Sequence, residues 1–121
     1  MKEKLKILWC GEASVLNTGY AIYAREVLNR LYDTDKYIIA ELGCYSAADN
    51  PKRFDVPWRL YSNLPSNQQE AREYGANPTY QFGEWRFEDV CLDFRPDVVI
   101  DIRDWWMLEF AERSPYRSYY H

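Results

Sequence analysis

Lys4–Leu31 reads KLKILWCGEASVLNTGYAIYAREVLNRL, and its opening third decides the fold. A charged lead-in runs into an unbroken apolar stretch, Ile7 to Cys10, that stops at Gly11. Lys4 to Gly11 therefore reads as a parallel strand buried on both faces, because a strand with one wet face would alternate apolar and polar residues. Downstream, Tyr20, Ala24, Val27, Leu28 and Leu31 fall at i, i+4, i+7, i+8 and i+11, which is one stripe of a helix. Asn17 or Thr18 stands where a side-chain oxygen can accept an amide proton that the first turn leaves unpaired. Asp33-Thr34-Asp35 ends the helix.

Working outward, Tyr37 to Gly43 (YIIAELG) reads as a second strand and Trp58 to Tyr61 (WRLY) as a short third. Ser66-Asn67-Gln68-Gln69-Glu70 has the form of a capping box opening a polar helix that stops at Gly75. Gly75 to Gly83 reads as a loop. Phe87, Val90, Cys91 and Phe94 return to helical spacing until Pro96, whose ring pushes the preceding residue out of helical geometry. Asp97 to Ile102 (DVVIDI) is a further buried strand, and Asp104 can cap a helix through Trp105 to Glu112 that Ser114-Pro115 breaks. Strands alternating with helices imply parallel pairing, with helices on both sheet faces. The expectation is one α/β domain over residues 1–121, a Rossmann-like three-layer sandwich with about four strands in the order 3-2-1-4.

The bulk properties agree. A chain of 121 residues with 47% hydrophobic and 17% aromatic content can bury one sizeable core and is unlike the depleted composition of disordered chains. A net charge of −4 without a basic run argues against nucleic acid, since phosphate binding rests on clustered Lys and Arg. The apolar run Leu5 to Cys10 is too short for an export signal, and no segment reaches the roughly 20 apolar residues of a membrane helix. A cytoplasmic location is the expectation. Cys10, Cys44 and Cys91 lie in separate apolar elements and read as reduced core residues, because metal-binding cysteines come in close pairs. With His121 the single histidine, no His-based catalytic or metal site is expected, and no cofactor is implied.

Ligands of open parallel sheets sit outside the carboxyl ends of the strands, where the strand order reverses. Two segments should meet there. Gly11-Glu12-Ala13-Ser14-Val15-Leu16-Asn17-Thr18-Gly19 leads from the first strand into the first helix. Gly11 permits a sharp exit, and Gly19 leaves helix amides open to an anion such as a diphosphate. The spacing fits neither dinucleotide nor ATPase phosphate loops, and plain turn and cap geometry is an equally good reading of both glycines. The second segment is Asp101 to Trp106 (DIRDWW). Asp101 and Asp104 suit sugar hydroxyls or base chemistry, Arg103 a phosphate, and Trp105 or Trp106 a sugar ring. The alternatives are a cap for Asp104, a surface ion pair for Asp101 and Arg103, and core packing for the tryptophans.

Taken together, KILWCGEASVLNTGYAIYAREVLNRL and RPDVVIDIRDWWML resemble glycosyltransferases of family 4, whose GT-B fold pairs two Rossmann-like domains across a cleft. The likeness spans Lys6 to Leu31 and Arg95 to Leu108. It implies an amino-terminal domain that binds the acceptor while a second domain binds the nucleotide sugar. Gly11, Thr18 and Gly19 match the loop facing the donor phosphates, with Glu12 and Asn17 as further candidates in that loop, and Asp101, Arg103 and Asp104 match the acceptor side, with Trp105 a further candidate beside them. Where many members carry His after P-D-V-V, this chain has Ile100 and Ile102. The donor-site glutamate pair of that family would lie in a second domain, so the chain reads as a truncated half, inactive as a transferase by itself. The competing expectation is a non-catalytic binding module that forms homo-oligomers through an exposed sheet edge or the aromatic segment Trp105, Trp106, Tyr116, Tyr119 and Tyr120. A receiver domain ranks last, because Glu12 alone does not supply its acidic cluster.

Overall fold

The computed structural model describes residues 4–47 and 50–101. β1 (Leu5–Glu12), α1 (Gly19–Asp33), β2 (Tyr37–Cys44), β3 (Arg59–Ser62), α2 (Gln68–Gly75), α3 (Glu84–Phe94) and β4 (Val98–Asp101) follow in that order. The four strands form one parallel sheet in the order β3-β2-β1-β4. This is the Rossmann-like topology the alternation called for. β1 is central, paired along its length with β2 and from Ile7 to Cys10 with β4.

Successive side chains of a strand point to opposite faces, so the unbroken apolar runs feed two cores. Leu8 and Cys10 of β1, Ala40 and Leu42 of β2 and Val99 of β4 pack against Phe87, Val90 and Cys91 of α3. Trp9 and Ile39 face the other way, onto Ala24 and Leu28 of α1 with Val56 and Trp58. Each fully buried side chain of Leu size contributes about 2 kcal/mol. Cys10, Cys44 and Cys91 are buried and form no disulfide among the described residues, and burial pushes the Cys91 thiol up to about 12. Among the described residues no helix is long and apolar enough to cross a membrane.

Local chemistry sets the helix ends. Thr18 caps α1, its hydroxyl oxygen accepting from the Ala21 amide at 3.1 Å. Asn67 caps α2, accepting from the Glu70 amide at 2.9 Å while Glu70 Oε1 accepts from the Ser66 amide at 2.8 Å, a reciprocal box. α3 stops at Arg95, which leaves right-handed geometry for φ 55 just before Pro96.

Two expectations need correction. Tyr20 is 45% exposed, and Ala21 is buried in its place; the core stripe of α1 runs through Ala21, Ala24 and Leu28, so Tyr20 falls on its outer flank. Gly75 to Gly83 is not all loop, because Pro78–Phe82 forms a 3₁₀ turn. Asn77 capping the Thr79 amide at 3.0 Å and Pro78 at the first position start that turn.

Candidate functional site

The order β2-β1-β4 places the reversal of the sheet at β1, between strands that leave it on either side. Gly11 pairs with Gly43 of β2, and Cys10 pairs with Asp101 of β4. The exits of β1 and β4 therefore share one rim. Gly11 takes φ 153, a backbone that only glycine adopts without strain, and a methyl there would lie 3.8 Å from Asp101 Oδ1. The bare Gly11 backbone thus lies beside the largely buried Asp101 carboxylate.

Beyond Gly11 the loop is tied to β2 by hydrogen bonds. The Ala13 amide donates to the Cys44 carbonyl at 3.1 Å, and the Leu16 amide closes a turn on the Ala13 carbonyl at 3.0 Å. Ser14, fully buried, donates to Glu41 twice at 2.6 Å, from its amide to Oε2 and from its hydroxyl to Oε1. The indole of Trp58 adds a third donor to Glu41 Oε1 at 3.0 Å. Arg25 of α1 reaches back to the Ser14 carbonyl at 3.1 Å. Glu41 has no exposed surface, and burial pushes its carboxyl above the usual range although the three bonds pull the other way. A charge-bearing group in an apolar layer is tolerated only when so satisfied. Glu41 is a positioning residue for the rim. Gly43 completes the tie, because a methyl at that position would come within 2.7 Å of Ala13 Cβ and 2.9 Å of Leu60 Cδ1.

At the start of α1 the Thr18 hydroxyl donates to Glu12 Oε2 at 2.5 Å. A carboxylate thus already stands at the positive end of this helix. Asn17, Thr18 and Gly19 are exposed and Glu12 is half-buried. Of the second segment, Asp101 joins this rim, while Arg103, Asp104 and Trp105 lie outside the described residues, as do the remaining aromatics of the carboxyl-terminal segment.

The rim continues over β2 and β3. Tyr45, just past β2, takes φ 67, and its hydroxyl donates to Gln81 Oε1 at 3.3 Å. Buried Asn63 gathers three elements: its amide donates to the Gly43 carbonyl at 3.1 Å, its Nδ2 to the Tyr80 carbonyl at 2.8 Å, and its Oδ1 accepts from the Arg86 amide at 3.1 Å. Tyr80 and Tyr74 pack on Trp85 with ring centroids 5.4 and 5.9 Å apart.

Sequence reasoning passed over Glu41 and Tyr45. Glu41 had a signal, as the single charge inside the buried stretch YIIAELG; Tyr45 had none, because its backbone angle is written by the turn.

A scan against protein-family models and a search of curated proteins each give no match for this chain.

Proposed function

We propose that this domain binds the acceptor saccharide of a sugar transferase built from two Rossmann-like domains, as the resemblance of its first strand-helix unit and its PDVV strand to family 4 glycosyltransferases implies. One observation carries the reading: Gly11 and Asp101, from two non-consecutive strands, stand together at the switch point of the sheet. The chemistry of the rim refines it. Carboxylates Glu12 and Asp101 are acceptors, suited to the donating hydroxyls of a sugar. With Glu12 already hydrogen-bonded to the capping Thr18, the start of α1 favours hydroxyl groups over the phosphates of a donor nucleotide.

Thermal unfolding of the chain with glucose, maltotriose and chitotriose, and separately with inorganic phosphate and UDP-glucose, tests this. A ligand that binds only the folded state raises the melting temperature saturably. Saturable stabilisation by a saccharide and none by phosphate is the expected result. No response to any of the three saccharides would overturn the reading.

A second reading, an oligomerising module, is favoured by α1, which leaves Tyr20, Ile22 and Tyr23 each at least 45% exposed. Static light scattering decides it: mass rising with concentration in the absence of ligand, together with no saccharide response, would put this reading first.

A further inference from the structure

Glu41 is fully buried, and each donor that reaches it among the described residues is neutral: the Ser14 amide and hydroxyl and the Trp58 indole. A buried carboxylate is ordinarily matched by a cation. Its partners in the sheet register are Trp9 of β1 and Leu60 of β3. The cation that α1 brings, Arg25, goes to the Ser14 carbonyl at 3.1 Å. Glu12, at the start of the loop, is bonded to Thr18, and Tyr32 of α1 meets the Trp58 ring at 6.2 Å between centroids. Among the described residues no cation forms an ion pair with Glu41. Two of its three donors belong to one residue, and that residue lies in the β1 loop. The neutral acid keeps these contacts. Oε2 accepts from the Ser14 amide, and a proton on Oε1 is donated to Ser14 Oγ across the same 2.6 Å, because a hydroxyl rotates to donate or to accept. The anion needs water, which reaches it where Ser14 or Trp58 withdraws. Trp58 would give up a large buried ring, so the loop is the part that moves.

We propose that Glu41 is a proton-operated latch: the neutral acid holds the β1 loop on β2, and loss of its proton to solvent releases the loop. The device acts on the chain between Gly11 and the α1 cap Thr18, whichever ligand the rim takes. In the open loop Glu41 titrates near its ordinary value of 4.5, and in the closed loop burial holds it higher. Opening is therefore rarest below 4.5, rises by up to about tenfold per pH unit between the two values and levels off above the higher one. A ligand that requires the ordered loop binds more tightly in acid.

Amide hydrogen exchange of the chain without ligand, followed by NMR and corrected for its intrinsic pH dependence, reads the opening. Ser14 protection should fall severalfold as pH rises from 4.5 toward neutrality, while Ala71 of the surface helix α2, bonded to the Asn67 carbonyl, keeps its own. The chemical shift of the Glu41 carboxyl carbon should titrate over the same interval. Glu41→Gln offers the same acceptor without a titrating proton, so its Ser14 protection should stay flat. Flat Ser14 protection in wild type, or a Glu41 carboxyl that titrates outside the interval, would overturn the latch without recourse to any variant. An equal fall in Glu41→Gln would assign the effect to another group. Exposure of the Trp58 indole N–H with Ser14 unmoved would place the release on Trp58, and either result overturns the latch as well. No ligand enters the measurement, so its failure leaves the saccharide reading standing.

Discussion

The two ends of the sheet are built differently. At the carboxyl end, the β1 loop is held by a fully buried carboxylate with three donors, by a glycine whose φ excludes side chains and by another whose Cβ would collide with the loop. At the amino end, a groove of about 530 Å³ lies among Lys4, Asp35, Tyr37, Trp58 and Arg59, and its ion pair is Lys4 to Asp35 at 2.7 Å, with side chains 45% and 90% exposed. That hydrogen bond pulls the Asp35 carboxyl below its ordinary range, yet water screens the pair. The groove is lined by exposed charged side chains, and the rim is tied by buried hydrogen bonds.

Substitutions can break this contrast, the largest effect first. Glu41→Ala removes the acceptor of two Ser14 donors and one Trp58 donor and opens a void, so it should cost about 4 kcal/mol in urea unfolding. A cost near zero would mean that water or a neighbour replaces the carboxylate, and the rim would not be rigid. Gly43→Ala forces the new methyl against Ala13 and Leu60, for about 2 kcal/mol. Glu41→Gln sharpens the comparison by pH. Burial holds the folded carboxyl above its ordinary value of 4.5, so its contribution to stability is whole below that pH and is lost as pH rises through the raised value. Gln cannot titrate. The stability gap between wild type and Glu41→Gln should therefore narrow from pH 4.5 toward neutrality, and a widening gap would show that the three hydrogen bonds outweigh burial. Lys4→Ala, at the other end, should leave the urea midpoint unchanged.

Much of the fold was legible because its signals are periodic. KILWCG and DVV read as strands buried on both faces, and they pair side by side as the alternation of elements implied. The helices of Leu28 and of Phe87 announced themselves by spacing, and Thr18, Asn67 and Pro96 marked boundaries through capping and ring sterics. The 3₁₀ turn at Pro78 was hidden, since Asn, Pro and Thr serve loops and short helices alike. The candidate site was half legible. Gly11 and Asp101 follow from where strands end, whereas the grip of Glu41 on Ser14 joins residues 27 positions apart and needs the sheet to exist first. The strain at Tyr45 is likewise a property of the folded turn.

Amide chemical-shift mapping by NMR during titration with maltotriose tests the rim most directly. Shifts concentrated on Gly11 to Gly19 and Asp101, with Lys4, Tyr37 and Arg59 unmoved, are the expected result. Shifts confined to the groove at Lys4, Tyr37 and Arg59 would place ligand at the opposite end of the sheet and contradict it.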